Sequence, residues 1–136
     1  MIHFINNKEL IMTQEEKQLL LKDLSARLPY GVKVHVGDDW GMTLRQIDYA
    51  CFCECWENED IKSNSRWMLP YLRPMSSMTE EEKEEYHKLS DIYYGIYFDS
   101  INSIDWLNAH HFDYRKLIKR GLAIEVTEEN NPYELD

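Results

Sequence analysis

Long apolar runs are missing from this chain: nothing in its 136 residues approaches the ~18 consecutive apolar positions that a membrane-spanning helix needs. The opening stretch, MIHFINNKELIMTQEEK, has no basic segment followed by an apolar core, so no secretory signal is expected there. Cysteine is confined to Cys51, Cys53 and Cys55. Three is an odd number, and alternate residues of one strand are badly placed to bridge one another, which argues against a disulfide framework. A C-x-C-x-C strand is also a poor zinc cage, because its sulfurs start ~6.5–7 Å apart, and no C-x-x-C pair is present. Small side chains lining a buried face account for these cysteines better. Cationic charge is short too, with 15 Lys and Arg against 25 Asp and Glu for a formal net charge of −10. That sign repels phosphate backbones and disfavours direct nucleic-acid binding. Finally, there is no Gly-rich phosphate loop, no G-x-S-x-G elbow and no H-E-x-x-H helix.

What is present reads as one globular domain over residues 1–136. The chain is long enough to bury a core, and its 43% hydrophobic content is not that of a disordered tail. Four Trp and nine Tyr raise the expectation of a contact surface, since these residues combine large apolar area with a polar tip.

Thr13 and Glu16 form a capping box, and Leu20, Leu21, Leu24 and Leu28 recur at helical spacing, predicting a helix over 14–28 that Pro29-Tyr30-Gly31 ends. Val32–Val36 alternates as a half-buried strand, and Gly37–Gly41 reads as a turn. Thr43–Trp56 is expected to supply two more strands of an antiparallel meander. Residues 67–74 read as an extended, proline-bearing connector. Thr79 and Glu82 make a second capping box, predicting a helix over 80–94 stopped near Gly95. Further helices are expected over 101–111 and 114–120, the last with Asp113 as N-cap and Gly121 as C-cap. Leu122–Val126 reads as a short closing strand, and the acidic residues from about 127 as a loose tail. The fold class is therefore α+β: a small antiparallel sheet of about three to four strands, packed by an N-terminal helix and C-terminal helices.

Three blocks in order, KDLSARLPYGVKV (22–34), PYLRPMSSMTEEEKEE (70–85) and IDWLNAHHFDYRKLIKRGLAIE (104–125), resemble an uncharacterised family of small phage, prophage and mobile-element proteins of gut anaerobes. SNSRWM before Leu69 and the stretch from Ser90 to Ser103 depart from that pattern. The resemblance implies a mobile-element accessory protein and no mechanism; the unpaired cysteines and the missing secretory signal give the expectation of a reducing, cytoplasmic setting in the bacterial host.

His110, His111 and Asp113 form the best chemical cluster, because imidazoles and a carboxylate suit an acid–base pair or metal ligation. Adjacent helical residues point ~100° apart, so both histidines serve one site only if the helix breaks at His111. A third ligand would have to come from His87, His35 or Glu125. The structural reading, a helix–helix corner with Asp113 as a cap, fits the spacing better. Asp38-Asp39 in a glycine turn is expected to be merely solvated. Tyr114, Arg115, Lys119 and Arg120 make a local basic patch that could meet an acidic partner, or simply complement the helix dipole.

The expectation is a non-enzymatic interaction protein without cofactor or metal, partnered by a host or phage protein. A small metal-dependent or acid–base enzyme built on His110, His111 and Asp113 is the alternative, and an acidic nucleic-acid mimic is the second.

Overall fold

The computed structural model describes residues 3–5, 9–11, 13–36, 39–45 and 68–135. Its elements in chain order are β1 (His3–Ile5), β2 (Glu9–Ile11), α1 (Gln14–Arg27), β3 (Lys33–Val36), β4 (Asp39–Thr43), β5 (Leu69–Leu72), α2 (Glu80–Leu89), β6 (Asp91–Tyr93), β7 (Ile96–Phe98), α3 (Ile101–Ala109), α4 (Leu117–Arg120) and β8 (Ile124–Glu125). The expected α+β class holds. The main sheet runs β4-β3-β5-β8, while β1-β2 and β6-β7 are separate two-stranded ribbons. Cys51, Cys53, Cys55, Gly37 and Asp38 lie outside the described residues, as does most of the expected meander.

Both predicted capping boxes form. Thr13 Oγ1 accepts from Glu16 N at 3.1 Å while Thr13 N donates to Glu16 Oε1 at 2.9 Å, and Thr79 and Glu82 repeat the exchange at the same distances. Each pair satisfies two otherwise orphaned helix-end donors. Leu20 and Leu24 of α1 are fully buried with Val32, Val34, Leu69, Leu72, Leu117 and Leu122, and this cluster joins α1, β3, β5 and α4 into one core.

Asp39, Trp40 and Gly41, read as part of a turn, belong to strand β4. Four further expectations are corrected. Residues 69–72 are an interior strand, buried at every position, rather than a connector. The strand accommodates Pro70 because its ladders are offset: β3 pairs over Leu69-Pro70 and β8 over Tyr71-Leu72. Only one neighbour flanks Pro70, so the missing N–H interrupts no double ladder. The sheet is also mixed, since β5 and β8 run parallel. The helix expected to reach residue 94 stops at Leu89, where Ser90 Oγ donates to Tyr86 O, and the chain turns into the β6-β7 hairpin. Its two-residue loop, Tyr94 at φ 51° and Gly95 at φ 76°, has the left-handed backbone of a type I′ turn. Gly95 is thus a hairpin residue, not a helix stop.

The fourth correction concerns the acidic tail. Residues 132–135 form a 3₁₀ turn that packs back on the sheet. Tyr133 Oη donates to Tyr71 O at 2.7 Å and accepts from Lys33 N at 3.0 Å, filling backbone positions of β5 and β3. A Cβ at Gly41 would meet Pro132 Cβ at 3.0 Å, and Gly41 sits at φ 73°, so β4 needs glycine on both counts where this turn crosses it.

Candidate functional site

The histidine cluster owes its geometry to the end of α3. Phe112 N donates to Leu107 O at 2.9 Å and His111 N to Asn108 O at 3.2 Å, the paired bonds of a Schellman motif. His111 therefore occupies the left-handed position, at φ 64°, that glycine ordinarily takes. Gly121 ends α4 by the same bonds, with Leu122 N donating to Leu117 O at 2.8 Å and Gly121 N to Ile118 O at 3.0 Å. The helix break conceived from the sequence does exist at His111.

That break sends the cluster's members to different places. The His111 ring stacks on Tyr133, with centroids 3.8 Å apart and planes 8° from parallel, and its Nδ1 is buried without a hydrogen-bond partner. Burial first, and then the Arg27 charge, hold its pKa down at about 4. His110 packs against Trp106 at 4.2 Å. Both histidines line an open cleft of about 670 Å³ together with Arg73, Glu81, Glu82 and Tyr133. Asp113 borders another cleft, of about 310 Å³, with Met75, Lys116 and Lys119. Its two carboxylate oxygens accept from Leu117 N at 2.8 Å and Ile118 N at 2.9 Å, so it satisfies the first-turn donors of α4 from outside the helix, while the N-cap position expected for it falls to Lys116, at φ 61°. That helix starts at Leu117, later than the sequence suggests, because the carboxylate reaches over the intervening turn.

As an acid–base group at neutral pH, His111 is correspondingly weak. An effective general base at neutral pH has a pKa near 7, well above that of His111. The Arg73 guanidinium grips both oxygens of Glu82 at 2.8 Å and holds that carboxyl at about 2. Burial raises the Tyr133 phenol beyond its usual range, against the opposing pull of the Lys33 N–H bond and the Arg27 charge. Among the described residues, no group of three or more His, Cys, Asp or Glu is placed to hold a metal ion.

The basic patch divides as well. Arg115 Nη1 donates to Asp23 Oδ1 at 2.8 Å and its guanidinium lies 4.7 Å over the Tyr114 ring, while Tyr114 Oη donates to Asn108 Oδ1 at 2.8 Å. Lys119 and Arg120 are exposed in the last turn of α4. Asp23 and Arg27, which apolar periodicity passes over, are fully buried. Arg27 Nε donates to Asp23 Oδ2 at 2.8 Å and Arg27 Nη2 to Phe112 O at 2.7 Å. Their i, i+4 spacing with opposite charge was the available signal. Across the same junction, Arg73 N donates to His111 O, Asp113 N donates to Arg73 O, and the Arg73 guanidinium sits 4.1 Å over the Phe112 ring. The three sequence blocks at 22–34, 70–85 and 104–125 thus meet around Phe112.

From Phe112 a column of aromatic rings leads outward. Phe112 stacks on Trp106 at 5.6 Å, Trp106 on Tyr86 at 5.7 Å, Tyr86 lies beside His87, and His87 stacks on Tyr97 of β7 at 4.0 Å. Tyr86 Oη also donates to Asp99, and Ser100 Oγ donates to Leu89 O, which pins both ends of the hairpin to α2. Beyond this anchored base every strand residue of β6 and β7 is exposed. Tyr94 at the tip is 94% exposed, Tyr93 65% and Ile96 58%, and Ile101 at the start of α3 is 82% exposed.

No protein family, curated protein or solved structure matches this chain. No helix among the described residues is long and apolar enough to cross a membrane.

Proposed function

We propose that this chain is a non-enzymatic accessory protein of a phage or mobile element, which acts by binding a protein of the host or phage through the β6-β7 hairpin. One observation carries the reading. Ile92, Tyr93, Tyr94, Ile96, Tyr97 and Phe98 form a continuous apolar projection, and all six are exposed. Scattered apolar residues are normal on a surface, but a contiguous aromatic patch of this kind marks a contact site. A two-stranded ribbon is marginal on its own in water. Here the aromatic column and the Tyr86–Asp99 contact hold it out in a defined pose.

The test is a variant that erases the patch and keeps the fold: Tyr93→Ser, Ile96→Ser and Phe98→Ser together. Wild-type protein immobilised in host lysate is expected to retain a stoichiometric partner that the variant releases, with matching unfolding midpoints for the two proteins. Equal retention by both would defeat the reading.

A further inference from the structure

We infer that the occupant of the hairpin is a cationic, apolar surface of another protein, one that presents leucine-like side chains to β6-β7 with Lys or Arg around them; this rests on the hairpin being the interaction surface. Register separates the ribbon's two faces, because cross-strand partners share a side. Ile92 pairs with Tyr97, whose ring is stacked on His87 of α2, so that face leans toward the protein. Tyr93 pairs with Ile96 and Asp91 with Phe98, placing Tyr93, Ile96 and Phe98 on the opposite face. With Tyr94, whose ring stacks on Tyr93, these side chains expose several hundred Å², a large part of the ~800 Å² that one partner contributes to a standard interface.

Charge decides what kind of partner fits. Residues 80–105 hold eight carboxylates against two lysines, a formal −6 of the chain's −10, whereas residues 92–98 are uncharged. Glu84 and Glu85 are exposed on α2, whose His87 stacks on the ribbon, and Asp91 is exposed within β6 itself, paired with Phe98. An apolar patch with an anionic surround favours a cationic rim by complementarity. A second copy would set two such acidic surrounds against each other, which disfavours self-pairing. The strands' outer edges, unpaired among the described residues, allow the partner to add a strand.

The test uses the full chain and three synthetic probes: peptides alternating leucine with lysine, serine with lysine, and leucine with glutamate. Binding is followed by fluorescence anisotropy, and self-association by sedimentation. The leucine–lysine peptide is expected to bind about tenfold or more tightly than either control. Raising salt from about 0.05 to about 0.5 M is expected to weaken it. The Tyr93→Ser, Ile96→Ser, Phe98→Ser variant should lose the preference for leucine over serine, and Glu84→Gln, Glu85→Gln, Asp91→Asn should lose that for lysine over glutamate. Because all these positions are exposed, unchanged urea midpoints serve as the folding control. Equal binding of the lysine and glutamate peptides would overturn the cationic partner. A dimer dissolved by the triple serine variant would make the occupant a second copy, overturning this inference while leaving the hairpin as the interaction surface. No leucine preference, together with unchanged partner retention by the serine variant, would remove both.

Discussion

The imidazole of His111 and the phenol of Tyr133 lie face to face, 3.8 Å apart, and this stack closes the C-terminal turn over the end of α3. The same phenol bridges two strands, donating to Tyr71 O and accepting from Lys33 N. Replacing Tyr133 with Phe keeps the stack and removes only the hydroxyl. The two backbone groups lose that partner at a part-buried site, so Tyr133→Phe should destabilise by about 1–3 kcal/mol. Urea unfolding checks this; an unchanged midpoint would show that the Tyr133 hydroxyl contributes nothing to the sheet.

Stability should depend on His111 in acid. Its pKa is about 4 in the folded protein against an ordinary 6.5, so the unfolded chain binds the proton first. The resulting stability is fully present above pH 6.5 and is lost as pH falls towards 4, by about 2 kcal/mol once its partial exposure is allowed for. Glu82 acts in a lower window: its carboxyl, at about 2 beside Arg73, contributes stability above 4.5 that disappears as pH falls towards 2. Asparagine tolerates the left-handed backbone of residue 111 and does not titrate. His111→Asn should therefore flatten the denaturation midpoint between pH 6.5 and 4 and leave the lower window in place. A wild-type slope in that variant would rule out His111 as its source.

Asp23 holds two guanidiniums, and its side chain is fully buried. Asp23→Ala leaves Arg27 buried without its carboxylate and should cost about 3–5 kcal/mol. Arg115→Ala removes the more solvated partner and leaves the Asp23–Arg27 pair intact, so about 1 kcal/mol is expected. The contrast in calorimetric midpoints is the readout. Equal losses would mean that the buried pair is not the dominant contact.

Asp113 caps α4 with both oxygens. Asp113→Ala should cost about 1–2 kcal/mol, and Asp113→Asn should recover most of it, because an amide oxygen still accepts from Leu117 N or Ile118 N. If alanine and asparagine were equally stable, a capping role for Asp113 would be untenable.

At the hairpin tip, Tyr94 adopts φ 51° ahead of Gly95. Tyr94→Asn gives the Asn-Gly pair that type I′ turns prefer and should slow hydrogen exchange across β6-β7. Unchanged exchange would show that the turn does not limit hairpin opening.

Local chemistry made much of this architecture legible. The two Thr-x-x-Glu boxes, the leucine spacing of α1 and the glycine at the end of α4 each depend on residues within a few positions of one another, and each is present as read. Tertiary context decided the remainder. Leu69–Leu72 is a strand because β3 and β8 border it, although prolines suggested a connector. The tail is docked because Tyr133 reaches backbone atoms 62 and 100 residues away. His110, His111 and Asp113 are neighbours in sequence, yet a left-handed residue between them turns the histidines and the carboxylate toward separate clefts. The exposed hairpin was hidden for a related reason: aromatic residues after a capped helix read equally as its continuation or as a strand, and only the Ser90 stop and the Tyr86, His87 and Asp99 contacts choose. The sequence by itself determined the starts of α1, α2 and α3, the two capping boxes and the overall class, because those follow from short-range hydrogen bonding and periodicity. Which apolar surfaces are covered, and which the protein leaves open to a partner, depended on contacts between residues far apart along the chain.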